Sequence, residues 1–260
     1  VLFLQRGKRM IDTIAILTGA SRGIGAGLAR GLCRPGTRLV TLSRRADPEL
    51  ATWADQHGVE LEQIHVDLSD LSATEGMADR LFQALPRNAK RYLLINNAGT
   101  VEPVAMSAAL TQGPAIQAAF ALNVSAVILL TARFVSAVQD LPVDRRVLNI
   151  SSGAGRNPNA GWGVYCATKA ALDMYTRVLK LEQGQDGVRA VALAPGIVDT
   201  DMQEVIRASD PSNFPALAKF QEFHATGKLA DPNEVATRIL AYLDRNDFGH
   251  TEIDDIRNYY

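Results

Sequence analysis

Tyr165 and Lys169 stand four residues apart at the start of a strongly helical stretch, Tyr165-Cys-Ala-Thr-Lys169. That spacing puts both side chains on one helix face, one turn apart. A free tyrosine, with a pKa of about 10, is barely ionised at neutral pH. An ammonium within several ångströms favours the phenolate and would lower that pKa by ~1–3. Such a tyrosine suits proton exchange with a carbonyl oxygen. The bare spacing occurs by chance in many helices, so its neighbours matter. Ser152 closes an apolar strand pattern, Ile150-Ser151-Ser152, thirteen residues earlier, and belongs to the same rim. Asn123 interrupts an apolar helical stretch, where a buried amide needs hydrogen-bond partners. It reads equally well as a structural amide or as a working one.

A second group of residues suits an anionic ligand. The first strand pattern runs straight into Thr18-Gly-Ala-Ser-Arg-Gly-Ile-Gly25, and a helical pattern follows. Gly19, Gly23 and Gly25 allow a tight turn and close approach to a pyrophosphate. Ser21, Arg22 and Ile24 complete the loop, and the following helix aims its N–H groups at the phosphates. The segment Gly19-Ala-Ser21-Arg-Gly23 also matches G-x-S-x-G, the serine-hydrolase nucleophile elbow. In that fold the oxyanion loop belongs to strands before the elbow, and here only one strand precedes it. The second strand ends in Ser43-Arg44. A site for NAD places an acid near this position, whereas NADP requires a cation for its 2′-phosphate. Arg44, with Arg22 opposite, offers that planar fork; the alternative for each is a solvated surface arginine.

These residues need a scaffold, and the chain alternates strand and helix patterns throughout. Strands are expected at Ile14–Leu17, Arg38–Ser43, Leu61–Val66, Tyr92–Asn96, Arg146–Ile150 and Val188–Ala194. Helices are expected at 23–34, 48–57, 70–85, 111–138, 162–183 and 232–244. The alternation predicts one α/β domain, a doubly wound parallel sheet with helices on both faces. Ligands then bind at the carboxyl ends of the strands. Residues 195–227 read as a flap of loop and short helices, leading after one more helix to a short tail.

Composition narrows the partners. Of 260 residues, 47% are hydrophobic and 21% charged, with a formal net charge of −1. That balance favours neither nucleic acid nor an anionic membrane as partner. The apolar run from Ala115 to Val138 is interrupted by Gln117, Asn123, Ser125 and Arg133, which suits a buried helix. Two scattered cysteines, Cys33 and Cys166, make no disulfide framework, so a cytoplasmic location is expected. The four histidines show no metal-like spacing. Residues 1–9 read as an upstream extension before Met10, leaving 10–260 as a single domain.

The complete set resembles the short-chain dehydrogenase/reductase family over almost the whole chain. Its carriers are the Thr18–Gly25 loop, Asn96-Asn-Ala-Gly99, Ser152 with Tyr165 and Lys169, and Pro195-Gly-Ile-Val-Asp-Thr200. The resemblance implies a Rossmann-type fold and reduction of a carbonyl by NADP(H). It makes Tyr165 the proton donor and Ser152 the holder of the substrate oxygen. Lys169 would lower the tyrosine pKa and bind the nicotinamide ribose, and Asn123 would hold a water. Further cofactor contacts are implied for Asp67 and Leu68, for Asn97, Ala98 and Gly99, and for Pro195, Gly196, Val198 and Thr200. Within the family, 161–174, 194–203 and 227–229 are similar to sepiapterin reductases and bacterial benzil reductases. That subgroup implies a 1,2-diketone or pterin side chain as substrate and points to Asp254 as a ring anchor. A 3-oxoacyl or sugar reductase is the alternative within the family, and a non-catalytic NADP(H)-sensing protein the alternative outside enzymes. The helix at 111–138 is apolar around most of its circumference, which predicts a homodimer or homotetramer.

Overall fold

A computed structural model describes residues 11–260; the proposed extension and Met10 lie outside the described residues. Strands β1 (Thr13–Thr18), β2 (Thr37–Ser43) and β3 (Glu60–His65) alternate with helices α1 (Gly23–Leu32) and α2 (Pro48–Gln56). Helix α3 (Leu71–Gln83) leads to β4 (Arg91–Asn96), then α4 (Gly113–Phe120) and α5 (Ala126–Val138). After β5 (Asp144–Ile150), α6 (Gly163–Gln183) and β6 (Arg189–Ala194) come α7 (Asp201–Arg207), α8 (Leu217–Ala225), α9 (Pro232–Leu243) and β7 (Ile253–Asp255). The strands form one parallel sheet in the order β3-β2-β1-β4-β5-β6-β7. Order reverses between β1 and β4, which opens a crevice at their carboxyl ends.

Alternate residues of each strand feed two different cores. Ala15, Leu17, Leu93, Ile95, Val191 and Leu193 pack with α1, α2 and α9, whereas Ile14, Ile16, Tyr92, Leu94 and Ala190 pack with α3 and α5. Burial on both faces explains the near-continuous apolar strands. On the first face α1 lies close against α9, because a Cβ on Gly27 would come within 2.7 Å of the Ala236 side chain and one on Gly31 within 2.3 Å of Leu240.

The expected helix at 111–138 is present as one continuous helix, Gly113–Val138, with a π turn inside it. Residues Ala121–Ser125 form a π-helical turn between α4 and α5, with Asn123 inside it. One extra residue per turn shifts the backbone register there, a device found mostly at functional sites. The expected flap contains α7 and α8. The tail contributes β7, whose three residues extend the sheet beside β6.

At the opposite end of the sheet, Asp144 starts β5 between the first residues of its neighbours. Its carboxylate takes both Oδ atoms to Arg146 Nε at 2.9 Å, with Arg189 Nη2 at 2.6 Å and Arg91 Nε at 3.0 Å. Arg146 also donates to the carbonyls of Leu243 and Arg245, satisfying the end of α9. Burial pushes the Asp144 carboxyl up, but hydrogen bonds and charge from Arg146 and Arg189 outweigh it and hold it below the usual carboxylate range. A depressed folded-state pKa contributes stability above the unfolded value near 4, which is lost as pH falls through the folded value. Asp144→Asn is therefore expected to cost about 2 kcal/mol at pH 7, moderated by partial exposure. Urea unfolding should also show a weaker loss of stability below pH 4 than wild type.

Candidate active site

Three successive residues at the end of β5 meet three successive turns of α6. Helix α6 buries Tyr165, Lys169, Leu172 and Asp173 on its inner face, the i, i+4, i+8 row expected of a helix laid on a sheet. The Ile150 carbonyl accepts a 2.7 Å hydrogen bond from Lys169 Nζ. Ser151 Oγ donates to Asp173 Oδ1 at 2.5 Å. The Ser152 hydroxyl is hydrogen-bonded to Tyr165, and it accepts from the Ala154 N–H at 3.1 Å. Ser152, Tyr165 and Lys169 are thus brought together as expected.

The electrostatics differ from the expectation drawn from spacing. Burial pushes the Tyr165 hydroxyl up to about 12, against the lowering effect of the Ser152 hydrogen bond. Burial also brings Lys169 down to about 8, opposed by the charge of Asp173. Lys169 Nζ sits 5.8 Å from the centre of the Tyr165 ring and spends a hydrogen bond on the strand. Desolvation of both groups therefore outweighs their mutual influence. Tyr165 is a phenol at neutral pH, the protonated form that a proton donor needs.

Asn123 is at the site, with both amide donors and one acceptor lone pair engaged by protein. Its Nδ2 donates to the Thr100 carbonyl at 2.8 Å and to Thr168 Oγ1 at 3.1 Å, and its Oδ1 accepts from the Thr100 N–H at 2.9 Å. The amide pins the π turn to the strand-end loop and to α6, and its Oδ1 keeps one lone pair beyond the Thr100 bond. A Cβ on Gly99 would lie 3.2 Å from Asn123 Oδ1 and 3.8 Å from Lys169 Nζ.

The glycine loop lies at the crevice. Gly19 and Gly23 have φ of +70° and +53°, which strain any L side chain. A Cβ on Gly25 would fall 1.9 Å from the Gly19 carbonyl oxygen, so Gly25 lets α1 start hard against the loop. Asn97 Nδ2 donates to the Thr18 and Gly19 carbonyls at 3.1 Å, while Thr18 Oγ1 accepts from the Asn97 and Ala98 N–H groups at 2.9 Å. Helices α2, α3 and α9 are capped by Asp47, Asp70 and Asp231, whereas α1, like α4, α6, α7 and α8, has no side-chain cap at its N-terminus. Those first N–H groups, at a helix end that favours anions, fit a pyrophosphate.

Other cofactor candidates share this rim with different degrees of freedom. Arg44 is exposed at the end of β2, and its charge acts on Asp67 at the end of β3. Asp67 is held by Ser69, and Leu68 is buried in the core, leaving its backbone to serve a ligand. Ser43 donates to the Arg45 carbonyl at 2.6 Å. Arg22 does not stand free: it pairs with Asp201 at 2.5 Å, tying the glycine loop to the start of α7. Ser21 is exposed, and Ile24 packs against the core. After β6, Pro195 and Gly196 turn the chain, and Val198 is buried and bridged to Ala230. Thr200 approaches the loop closely, its Cγ2 lying 3.1 Å from where a Gly23 Cβ would be.

Asp254 is a correction. It pairs in register with Leu193, so its side chain faces α9, the side of the sheet away from α6. It is buried, and its carboxylate accepts from Tyr242 at 2.9 Å, Tyr259 at 2.5 Å, Asn258 at 3.1 Å and the Asp255 N–H at 2.8 Å. With its lone pairs occupied, Asp254 anchors the tail to α9 and does not reach the Tyr165 side.

Several site residues escaped the sequence reading. Thr18, Thr100 and Thr168 hold the strand-end loops and Asn123, and Asp173 stands behind Lys169. Thr168 and Asp173 fall on the Tyr165 face at +3 and +8, so helical period was the available signal. Beside Tyr165, Trp162 stacks on Phe214 at 5.1 Å between ring centres, and Phe220 closes on both. Val101, Ile206 and Leu217 complete this apolar wall, and Ile206, Phe214, Leu217 and Phe220 come from the expected flap.

The comparisons agree with this geometry. A profile of the short chain dehydrogenase family matches residues 13–211. The chain is 36% identical to a benzil reductase ((S)-benzoin forming) of Bacillus cereus, over 92% of this chain and 96% of the relative. It is likewise 36% identical to a sepiapterin reductase of Rattus norvegicus, covering 97% and 100%. Among solved structures, one provisionally assigned as an NAD(P)-dependent gluconate 5-dehydrogenase of Beutenbergia cavernae, with NADP bound at low occupancy, superposes with a TM-score of 0.78. It is 25% identical and covers 95% of this chain and 96% of its own. With its sheet order, its glycine loop and its Ser–Tyr–Lys group all in place, the chain belongs to the short-chain dehydrogenase family of oxidoreductases.

Proposed function

We propose that this oxidoreductase is an NADPH-dependent carbonyl reductase acting on one carbonyl of a 1,2-diketone, with a ring beside it. The observation that carries this reading is the Ser152–Tyr165 hydroxyl pair set against the wall of Trp162, Phe214 and Phe220. Ser152 and Tyr165 together donate to the carbonyl oxygen and fix its position. Tyr165 passes its proton to that oxygen as the carbon is reduced, and the apolar wall excludes water and receives the ring. The nicotinamide would supply the hydride, held by Lys169, the Asn97–Gly99 loop and the turn at Pro195–Thr200. A neighbouring carbonyl withdraws electron density, so the reacting carbon accepts hydride with less activation from Tyr165. The names of the benzil and sepiapterin reductase relatives support the same class, since benzil is a 1,2-diketone between two rings.

Consumption of NADPH with benzil and with a pterin diketone tests the substrate class, and no turnover of any 1,2-diketone would refute it. Tyr165→Phe should lower kcat at least a hundredfold, a barrier increase of about 2.7 kcal/mol, while NADPH binding stays measurable by fluorescence. Retention of a tenth of wild-type kcat would remove Tyr165 from the proton transfer.

Preference for NADPH is assigned to Arg44, because no acid stands at the end of β2 and Arg22 is engaged by Asp201. A hydrogen bond to a charged group contributes ~1.5–3 kcal/mol. Arg44→Ala should therefore weaken NADPH roughly ten- to a hundredfold while NADH changes little. Equal weakening of both would show that Arg44 does not read the 2′-phosphate.

A homodimer or homotetramer is also proposed. Met174, Val178 and Leu181 form an outward stripe on α6, exposed by 56%, 43% and 83%, with Ile128 of α5 at 38%. Apolar stripes of this kind mark interaction surfaces. Light scattering at micromolar concentration should give a dimer or larger, and Leu181→Glu should shift it toward monomer. A wild-type monomer would overturn the proposal.

A further inference from the structure

The glycine loop touches the start of the flap at two points, and the ion pair between them has no part in the chemistry above. Arg22, at the N-cap position of α1, pairs with Asp201, the first residue of α7, at 2.5 Å. Beside them the Thr200 methyl lies 3.1 Å from where a Cβ on Gly23 would stand.

Beyond Asp201 the flap is built as a hinged cover. Its two ends are held together by the bridge of Val198 to Ala230. There the Asp199 N–H donates to the Ala230 carbonyl, and the Ala230 N–H to the Ile197 carbonyl, both at 3.0 Å. Its middle is seated on Trp162. Phe214 stacks on the indole at 5.1 Å between ring centres, and Phe220 tilts against it at 5.3 Å. A Cβ on Gly161 would overlap the Asn213 carbonyl oxygen, so the flap backbone rests directly on the chain before Trp162. The three rings are buried against one another and against Tyr165. A substrate ring can enter this wall only when the flap lifts.

The seat is imperfect. Trp162 Nε1 and Gln203 Oε1, the second on the buried face of α7, are both enclosed without a hydrogen-bond partner. Each costs free energy while covered and regains a partner from water when the flap rises. The ion pair is likewise of a strength that can be exchanged. Its side chains are 62% and 49% exposed, and such a pair biases an equilibrium only about two- to fivefold. A phosphate at the start of α1 offers Arg22 two oxygens for its planar fork, and the same negative charge repels Asp201.

We propose that Arg22–Asp201 is the latch of the flap, and that a phosphate of the bound cofactor releases it by drawing Arg22 away from Asp201. Substrate then reaches Tyr165 after the cofactor is in place. Asp201 is thereby a positioning residue that acts through Arg22. The inference rests on the nicotinamide-cofactor reading and on the aromatic wall as the seat of the substrate ring.

Trp162 reports on the latch directly. The chain has two tryptophans, and Trp53→Phe leaves Trp162 as the one indole. The probes are ADP-ribose, which carries the pyrophosphate, and 2′-AMP, which carries the 2′-phosphate; neither has a nicotinamide. Acrylamide quenching of Trp162 should rise about two- to fivefold with at least one probe, and the probe that acts identifies the phosphate. Asp201→Asn should show the raised quenching without any probe and no further response to one. It should also bind that probe about two- to fivefold more tightly by calorimetry, because Arg22 is no longer shared. Arg22→Gln should raise the quenching equally but weaken the probe, a split of sign that a merely structural pair would not give. Glu204→Gln, on the same helix, should behave as wild type. Binding of neither probe would overturn the cofactor reading and this proposal together. Probe binding that leaves Trp162 unchanged, or an Asp201→Asn variant that still responds, would overturn the latch alone.

Discussion

An ammonium enclosed by protein is stable only with an acceptor in reach and a compensating charge nearby, and Lys169 imposes that requirement on everything around it. Its acceptor is the last carbonyl of β5. That carbonyl is free because β5 ends there and the chain turns away through Ser151 and Ser152. The same turn delivers Ser152 to Tyr165 and Ser151 to Asp173. Together with the Asn149–Thr176 bond, these contacts hold the register of α6 on the sheet, and that register sets where Tyr165 and Lys169 stand.

The surrounding parts follow from the need to surround this group without crowding it. Asn123 clamps the Thr100 backbone and Thr168, which requires its helix to bulge. Gly99 passes over both Asn123 and Lys169 where a methyl would press on the amide. Thr18 and Asn97 then join the ends of β1 and β4, so the glycine loop belongs to the same rim as these residues. Rigid support of this kind suits a site whose geometry must hold within fractions of an ångström.

The sheet was legible because its strands are buried on both faces and read as apolar runs, with ends misplaced by one or two residues. The Ser–Tyr–Lys group was legible because helical spacing and strand ends are local facts. What was not legible depends on distant partners or on backbone detail. Asn123 and Ser125 interrupt the apolar run within the π turn, but a polar residue in a helix does not reveal the extra residue per turn. Arg22 meets Asp201 across 179 positions, a pairing no spacing reveals. Adjacent strand residues point to opposite faces, and the register of β7 turned Asp254 toward Tyr242 and Tyr259. A three-residue strand carrying two aspartates gave no pattern from which to choose the face.

Burial also sets the protonation of the pair. A tyrosine poised as phenolate would suit removal of a proton from an alcohol, whereas Tyr165 is held as a phenol, its hydroxyl pushed up to about 12 by enclosure. Lys169, brought down to about 8 by the same enclosure, stays charged near neutrality and loses its proton in mild base. At neutral pH the pair therefore holds two protons and one positive charge beside the crevice. An oxygen gaining electron density there meets a donor already loaded and a charge that stabilises the product anion. A donor already loaded supports the reduction proposed for this chain, although the same groups would serve either direction and the supply of cofactor and substrate decides between them.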